Sequence, residues 1–123
     1  MSSSVRAVTH ADRVVVHVTG EIDIFATGGL RRQLEELIAQ GRTDIVVDLS
    51  DVAFIDSTGL GVLVGALKRL RAASGTFSLV CSKEPLLKIF RITALDQVFP
   101  IFPTVEAATS AQPDERDGHG STA

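Results

Sequence analysis

The chain has 123 residues, a formal net charge of -3 and one cysteine, which suits a single self-sufficient core and excludes a disulfide framework. Hydrophobic residues at 45% and charged ones at 22% are ordinary for a globular domain. The acidic balance argues against nucleic-acid binding, whose affinity rests on basic surface, so a partner protein or small ligand is expected.

Met1-Ser2-Ser3-Ser4 lacks the basic and apolar regions of a secretory signal, and residues 1–4 read as a flexible N-terminus. No apolar run approaches the roughly 20 residues of a membrane span. With one reduced cysteine, the expectation is a cytoplasmic protein without membrane contact.

Val5 to Thr9 and Val14 to Val18 are β-branched runs around His10-Ala11-Asp12-Arg13, predicting an opening hairpin. Gly20-Glu21-Ile22-Asp23 breaks that pattern. Leu30, Leu34, Leu37 and Ile38 then form a helical stripe that stops at Gly41. Gly28-Gly29 costs about 1 kcal/mol per residue inside a helix and predicts a loose first turn. Asp44 to Leu49, with its run Ile45-Val46-Val47, predicts a strand buried on both faces.

Leu60, Leu63, Val64, Leu67 and Leu70 predict a helix from Thr58 to about Ala73. Strand Phe77 to Cys81, helix Pro85 to Ile92, strand Val98 to Phe102 and a closing turn Val105 to Ala108 follow. Pro100 and Pro103 make the last strand short and near an edge. The expected fold is α/β: one domain over residues 5–111, a mixed, mostly parallel sheet opened by a hairpin, and about four helices. Residues 112–123 are polar and read as a disordered tail.

The most informative segment is Asp56-Ser57-Thr58-Gly59-Leu60-Gly61, where a strand gives way to a helix. Capping is its plain reading, since Asp, Ser and Thr are all favoured N-caps, and one of the two hydroxyls is expected to serve. Gly59 and Gly61 sacrifice helix propensity in the first turn, which suggests an end kept open to a visitor. The helix dipole and free N–H groups there favour negative charge, including a phosphate carried by the protein itself.

Other site motifs fail on spacing. A dinucleotide loop needs glycine where Val64 stands, and a P-loop ending is absent. A nucleophile elbow needs glycine where Ile55 stands, and His10, His17 and His119 lie in a turn, a strand and the tail. His17 reads as a sheet-face residue and Cys81 as a buried filler; no metal-ligand spacing or cofactor motif is present. Asp23 reads either as a cap of the first helix or as part of an acidic rim with Asp56 around Ser57; Asp48 is similarly ambiguous.

The run Asp48-Leu49-Ser50-Asp51-Val52-Ala53-Phe54-Ile55-Asp56-Ser57-Thr58-Gly59-Leu60-Gly61-Val62-Leu63 resembles the signature of STAS domains, specifically bacterial anti-sigma factor antagonists. Gly20-Glu21-Ile22-Asp23 and Leu87 to Leu95 resemble the family's loop before helix one and its third helix. The resemblance implies a switch protein, not an enzyme. Its unmodified form binds an anti-sigma factor that is also a serine kinase, releasing the sigma factor; phosphorylation of Ser57 prevents binding, and a PP2C-type phosphatase reverses it. By the same match Asp23 and Asp56 are acidic neighbours, with Thr58, Gly59 and Gly61 in the partner-binding surface. A free monomer is expected. Gly28-Gly29 departs from the family's helix-forming residues.

Two rival readings stand beside this. One is a non-phosphorylated STAS subunit of a lipid or anion transport complex. The other is a small hydrolase using Ser57 with Asp23, which lacks an evident histidine partner.

Overall fold

The computed structural model describes residues 3–10 and 12–110. β1 (Ser4–His10) and β2 (Arg13–Ile22) form the expected antiparallel hairpin. There follow α1 (Thr27–Ala39), β3 (Asp44–Ile55), α2 (Ser57–Ala72), β4 (Thr76–Val80), α3 (Glu84–Ile92), a 3₁₀ turn (Leu95–Gln97), β5 (Ile101–Phe102) and α4 (Val105–Ser110). The strands lie in the order β1-β2-β3-β4-β5, parallel from β2 onward. This is the mixed, mostly parallel α/β domain expected, with four helices among the described residues.

The valine-rich strands have two faces to bury. Val14, Val16 and Val18 of β2 and Ile45, Val47 and Leu49 of β3 pack under Leu30, Leu34, Leu63, Leu67, Leu70, Leu86 and Phe90 of α1, α2 and α3. Val15, Val46 and Val80 point the other way and meet Ala108 of α4. The Arg13 guanidinium donates to the Thr109 carbonyl and ties α4 to the start of β2. Burial on both faces is why this sheet reads as continuous apolar runs instead of alternation.

Several boundaries differ from expectation, and tertiary pairing is the reason. Gly20-Glu21-Ile22 does not break β2: the strand continues to Ile22 by taking register shifts against β3 at His17/Thr19 and Gly20/Glu21, with Gly20 at φ +94°. β3 likewise runs past Leu49 to Ile55, since Val52 and Ile55 are buried beside Gly20 and Ile22. At the other edge β5 shrinks to Ile101–Phe102, because Leu95–Gln97 coil into the 3₁₀ turn that positions buried Phe99. Gly28 and Gly29 sit inside a regular first turn of α1, which is anchored by buried Thr27 and Leu30. Ser4 belongs to β1, its hydroxyl 2.7 Å from that of Thr19. The expected tail, residues 112–123, lies outside the described residues.

Candidate functional site

Ile22 and Ile55 are register partners at the carboxyl ends of two parallel strands. The Asp56 N–H donates to the Ile22 carbonyl at 3.0 Å, so the chain leaves both strands side by side. The residues that follow, Asp23 and Asp56, therefore open adjoining loops at the end of the sheet where α/β folds place their sites. The loops that carry Asp23 and Ser57 thus start side by side at this end of the sheet.

Each aspartate turns one carboxylate oxygen back to the chain. Asp56 Oδ1 accepts from Thr58 N at 3.0 Å, Gly59 N at 3.1 Å and Thr58 Oγ1 at 2.5 Å. The Thr58 hydroxyl, followed by the Gly59 N–H, holds the Asp56 carboxyl below its ordinary pKa. The cap of α2 is thus a carboxylate, which corrects the expectation that one of the hydroxyls would serve; an ionised cap also complements the helix dipole. Asp23 Oδ1 accepts from Phe25 N and Ala26 N, both at 3.0 Å, and organises the turn ahead of α1.

Thr27, which no sequence pattern singled out, joins the two loops. Its hydroxyl donates to Asp23 O at 2.7 Å and lies 3.0 Å from Thr58 Oγ1. Both threonine hydroxyls are thereby engaged. Ser57 is different: it occupies the first position of α2, is exposed, and its hydroxyl has no hydrogen-bond partner among the described residues.

The two glycines divide. A Cβ on Gly59 would lie 2.7 Å from Ile55 Cγ1 and 2.9 Å from Ile22 Cγ2, so its missing side chain lets α2 close onto the strand ends. It faces inward, which corrects its reading as an opening to a visitor. Gly61 is exposed with open space where a Cβ would stand. It lines a groove of about 330 Å³ between α1 and α2, with Thr58, Arg31, Gly65 and Arg69 around it.

The remaining polar candidates lie elsewhere. His17 Nδ1 is 2.8 Å from Asp48 Oδ2, on the sheet face opposite the α1–α3 layer, and Asp48 Oδ1 accepts from Ser50 Oγ at 2.6 Å and Ser50 N at 3.0 Å. Asp48 thus resolves as the partner of a sheet-face histidine, and His17 is committed away from Ser57. Cys81 is buried after β4, where burial pushes its thiol up. Among the described residues no cluster of three metal-ligating side chains occurs, and no helix is long and apolar enough to cross a membrane.

Comparison with known proteins matches this geometry to one family. The family model described as the STAS domain matches residues 4–108. The anti-sigma-B factor antagonist of Bacillus subtilis (strain 168) is 36% identical over 101 residues, 82% of this chain and 92% of the relative. An anti-sigma factor antagonist from Mycobacterium paratuberculosis superposes with a TM-score of 0.82 at 30% identity, over 89% of this chain and 92% of that one. The Bacillus cell fate determinant SpoIIAA in its phosphorylated form superposes at 0.69 and 26% identity, over 86% of this chain and 96% of that one. With the family model matched over residues 4–108 and relatives similar over most of their own length, the protein belongs to the STAS domain family and is similar to its anti-sigma factor antagonists.

Proposed function

We propose that the chain is an anti-sigma factor antagonist switched by phosphorylation of Ser57. Unmodified, it binds an anti-sigma factor with serine kinase activity and frees the sigma factor; phosphorylated, it does not bind; a PP2C-type phosphatase restores it. One observation carries the reading: of two adjacent exposed residues at the start of α2, Thr58 has its hydroxyl on Asp56 Oδ1 and beside Thr27 Oγ1, while the Ser57 hydroxyl has no partner among the described residues. The relatives named as anti-sigma factor antagonists support it, as does a similar fold solved in a phosphorylated form.

In the forward step the Ser57 oxygen forms a bond to the γ-phosphorus of ATP, the bond to the leaving ADP breaks, and the serine proton passes to a base of the kinase. The product carries about -1.5 to -2 added charges at a helix N-terminus, where dipole and N–H groups offset repulsion from Asp56 and Asp23. The fold tolerates the mark, so regulation acts at the interface. A contact matched to a neutral hydroxyl meets a solvated dianion, and a loss of roughly 3 kcal/mol weakens binding more than a hundredfold. Asp23, Thr58, Gly59 and Gly61 support this surface differently: Asp23 and Thr58 shape the loops, Gly59 seats the helix, and Gly61 leaves its outer face open.

The test is partner affinity measured for wild type, Ser57→Ala and Ser57→Asp. Ser57→Ala is expected to bind as tightly as the unmodified protein and Ser57→Asp at least tenfold more weakly, both with unchanged unfolding midpoints. Equal affinities for the two variants refute the switch and return the chain to a STAS scaffold such as a transporter subunit.

A further inference from the structure

Directly after Asp23 the chain presents two large apolar side chains to solvent, Ile24 at 65% exposure and Phe25 at 90%. They stand outside the buried stripe of α1, which begins with Thr27 and Leu30. A lone exposed apolar residue needs no explanation. This pair differs in three respects.

First, it is held in place. Asp23 Oδ1 accepts from the N–H of Phe25 and of Ala26, and Asp23 O accepts from Ala26 N at 3.1 Å and Thr27 N at 2.9 Å. A turn fixed in this way loses little freedom on binding, which favours it as a contact element. Second, Phe25 walls a cleft of about 590 Å³ whose lining includes Gly20, Glu21, Asp23, Ala26 and Ala53, with no basic side chain among the described residues that line it. Two carboxylates beside an aromatic wall are complementary to a basic side chain. Phe54, the register partner of Glu21, adds another aromatic, itself half-exposed, at the same strand ends. Third, the turn is continuous with the switch, since Asp23 follows Ile22, whose carbonyl receives the Asp56 N–H one residue before Ser57.

We propose that Ile24 and Phe25 are the docking anchor for the anti-sigma factor kinase. Phe25 enters an apolar recess of that partner, and a basic side chain beside the recess enters the cleft between Glu21 and Asp23. The inference rests on Ser57 being the phosphoacceptor, and it divides the interface in two. The anchor is the same in both states of the protein and supplies affinity and partner choice; Ser57 carries the variable charge. An aromatic buried near the centre of an interface is the common form of a binding hot spot.

The experiment is steady-state phosphorylation of the full chain by the anti-sigma factor kinase that modifies wild-type Ser57 with magnesium ATP. Phe25→Ala and Ile24→Ala are compared with the conservative Phe25→Leu and with Glu21→Gln. For Phe25→Ala the KM for the chain is expected to rise about thirtyfold with kcat within about twofold of wild type. Phe25→Leu recovers most of the loss. Glu21→Gln raises KM less and reduces its dependence on salt. Unfolding midpoints stay level, since the altered side chains lie outside the core.

Normal phosphorylation of Phe25→Ala with unchanged KM overturns the anchor and leaves the switch standing. A fall in kcat at unchanged KM also overturns it, because Phe25 would then act on the chemistry. Wild-type self-association abolished by Phe25→Ala, with KM unchanged, assigns the turn to a second copy of the chain instead. Absence of phosphate from wild-type Ser57 overturns the functional reading itself, and the anchor with it.

Discussion

Thr27 Oγ1 lies 3.0 Å from Thr58 Oγ1, joining the first turns of α1 and α2 across the ends of β2 and β3. Thr58 Oγ1 is also 2.5 Å from Asp56 Oδ1 and Thr27 Oγ1 2.7 Å from the Asp23 carbonyl; each hydroxyl has one proton to donate, so two of these three contacts are hydrogen bonds at a time.

Thr27→Val removes this link from a side chain that is only 3% exposed. It is expected to lower stability by about 1 kcal/mol, the typical net worth of a part-buried hydrogen bond. Urea unfolding measures it. The double variant Thr27→Val/Thr58→Val should cost less than the sum of the singles, since the shared contact is lost only once; strict additivity would show that the two hydroxyls are uncoupled.

Gly59→Ala and Gly61→Ala should move in opposite directions. The first drives a Cβ into Ile55 and Ile22, and overpacking of that kind costs about 1–3 kcal/mol. The second meets open space and gains up to about 1 kcal/mol of helix propensity. If Gly61 faces the partner, Gly61→Ala is also the more stable but weaker binder. Thermal melts and partner titration report the two effects separately.

Phosphate should go to Ser57 and leave Thr58 bare. Intact-mass measurement after incubation with the kinase and ATP is expected to show one added phosphate, abolished by Ser57→Ala. Transfer to Thr58 in that variant would mean that the hydrogen bonds to Asp56 and Thr27 do not protect its hydroxyl.

Asp48 should contribute to acid sensitivity. Burial raises its pKa, but the Ser50 hydroxyl and N–H together with His17 outweigh burial and hold the carboxyl below its ordinary value of 3.8. A depressed folded-state pKa means stability that is fully present above the unfolded value and lost as pH falls through the folded one. Acid unfolding followed from pH 5 to 2 should therefore be shallower for Asp48→Asn. An unchanged slope would show that Asp48 keeps the same pKa on unfolding.

Much of this was legible in the sequence because it is written in local pattern. The stripe Leu30, Leu34, Leu37, the apolar run of β3 and the alternation after it specify helices, a doubly buried strand and parallel order, since periodicity and turn chemistry act over a few neighbouring residues. The start of α2 at Asp56-Ser57-Thr58 was marked in the same way. Which atom caps that helix was not, because all three residue types compete for the role, and only the approach of Thr27 and the Ile22 carbonyl selects the Asp56 carboxylate.

The same division explains the glycines and the strand ends. In sequence Gly59 and Gly61 are equivalent breaks in helix propensity; in space one lies against Ile55 and Ile22 and the other against solvent. The apolar run predicted β3 to end at Leu49, yet pairing with β2 carries the strand to Ile55 and so sets where Asp56 and Ser57 emerge. Sequence by itself determined the elements, their order and the serine at a helix start, all consequences of short-range periodicity and capping preference. Tertiary structure alone decided which of the two adjacent hydroxyls is engaged and which side chains stand exposed at the strand ends, because those depend on contacts between residues about thirty positions apart, whose geometry no local pattern encodes.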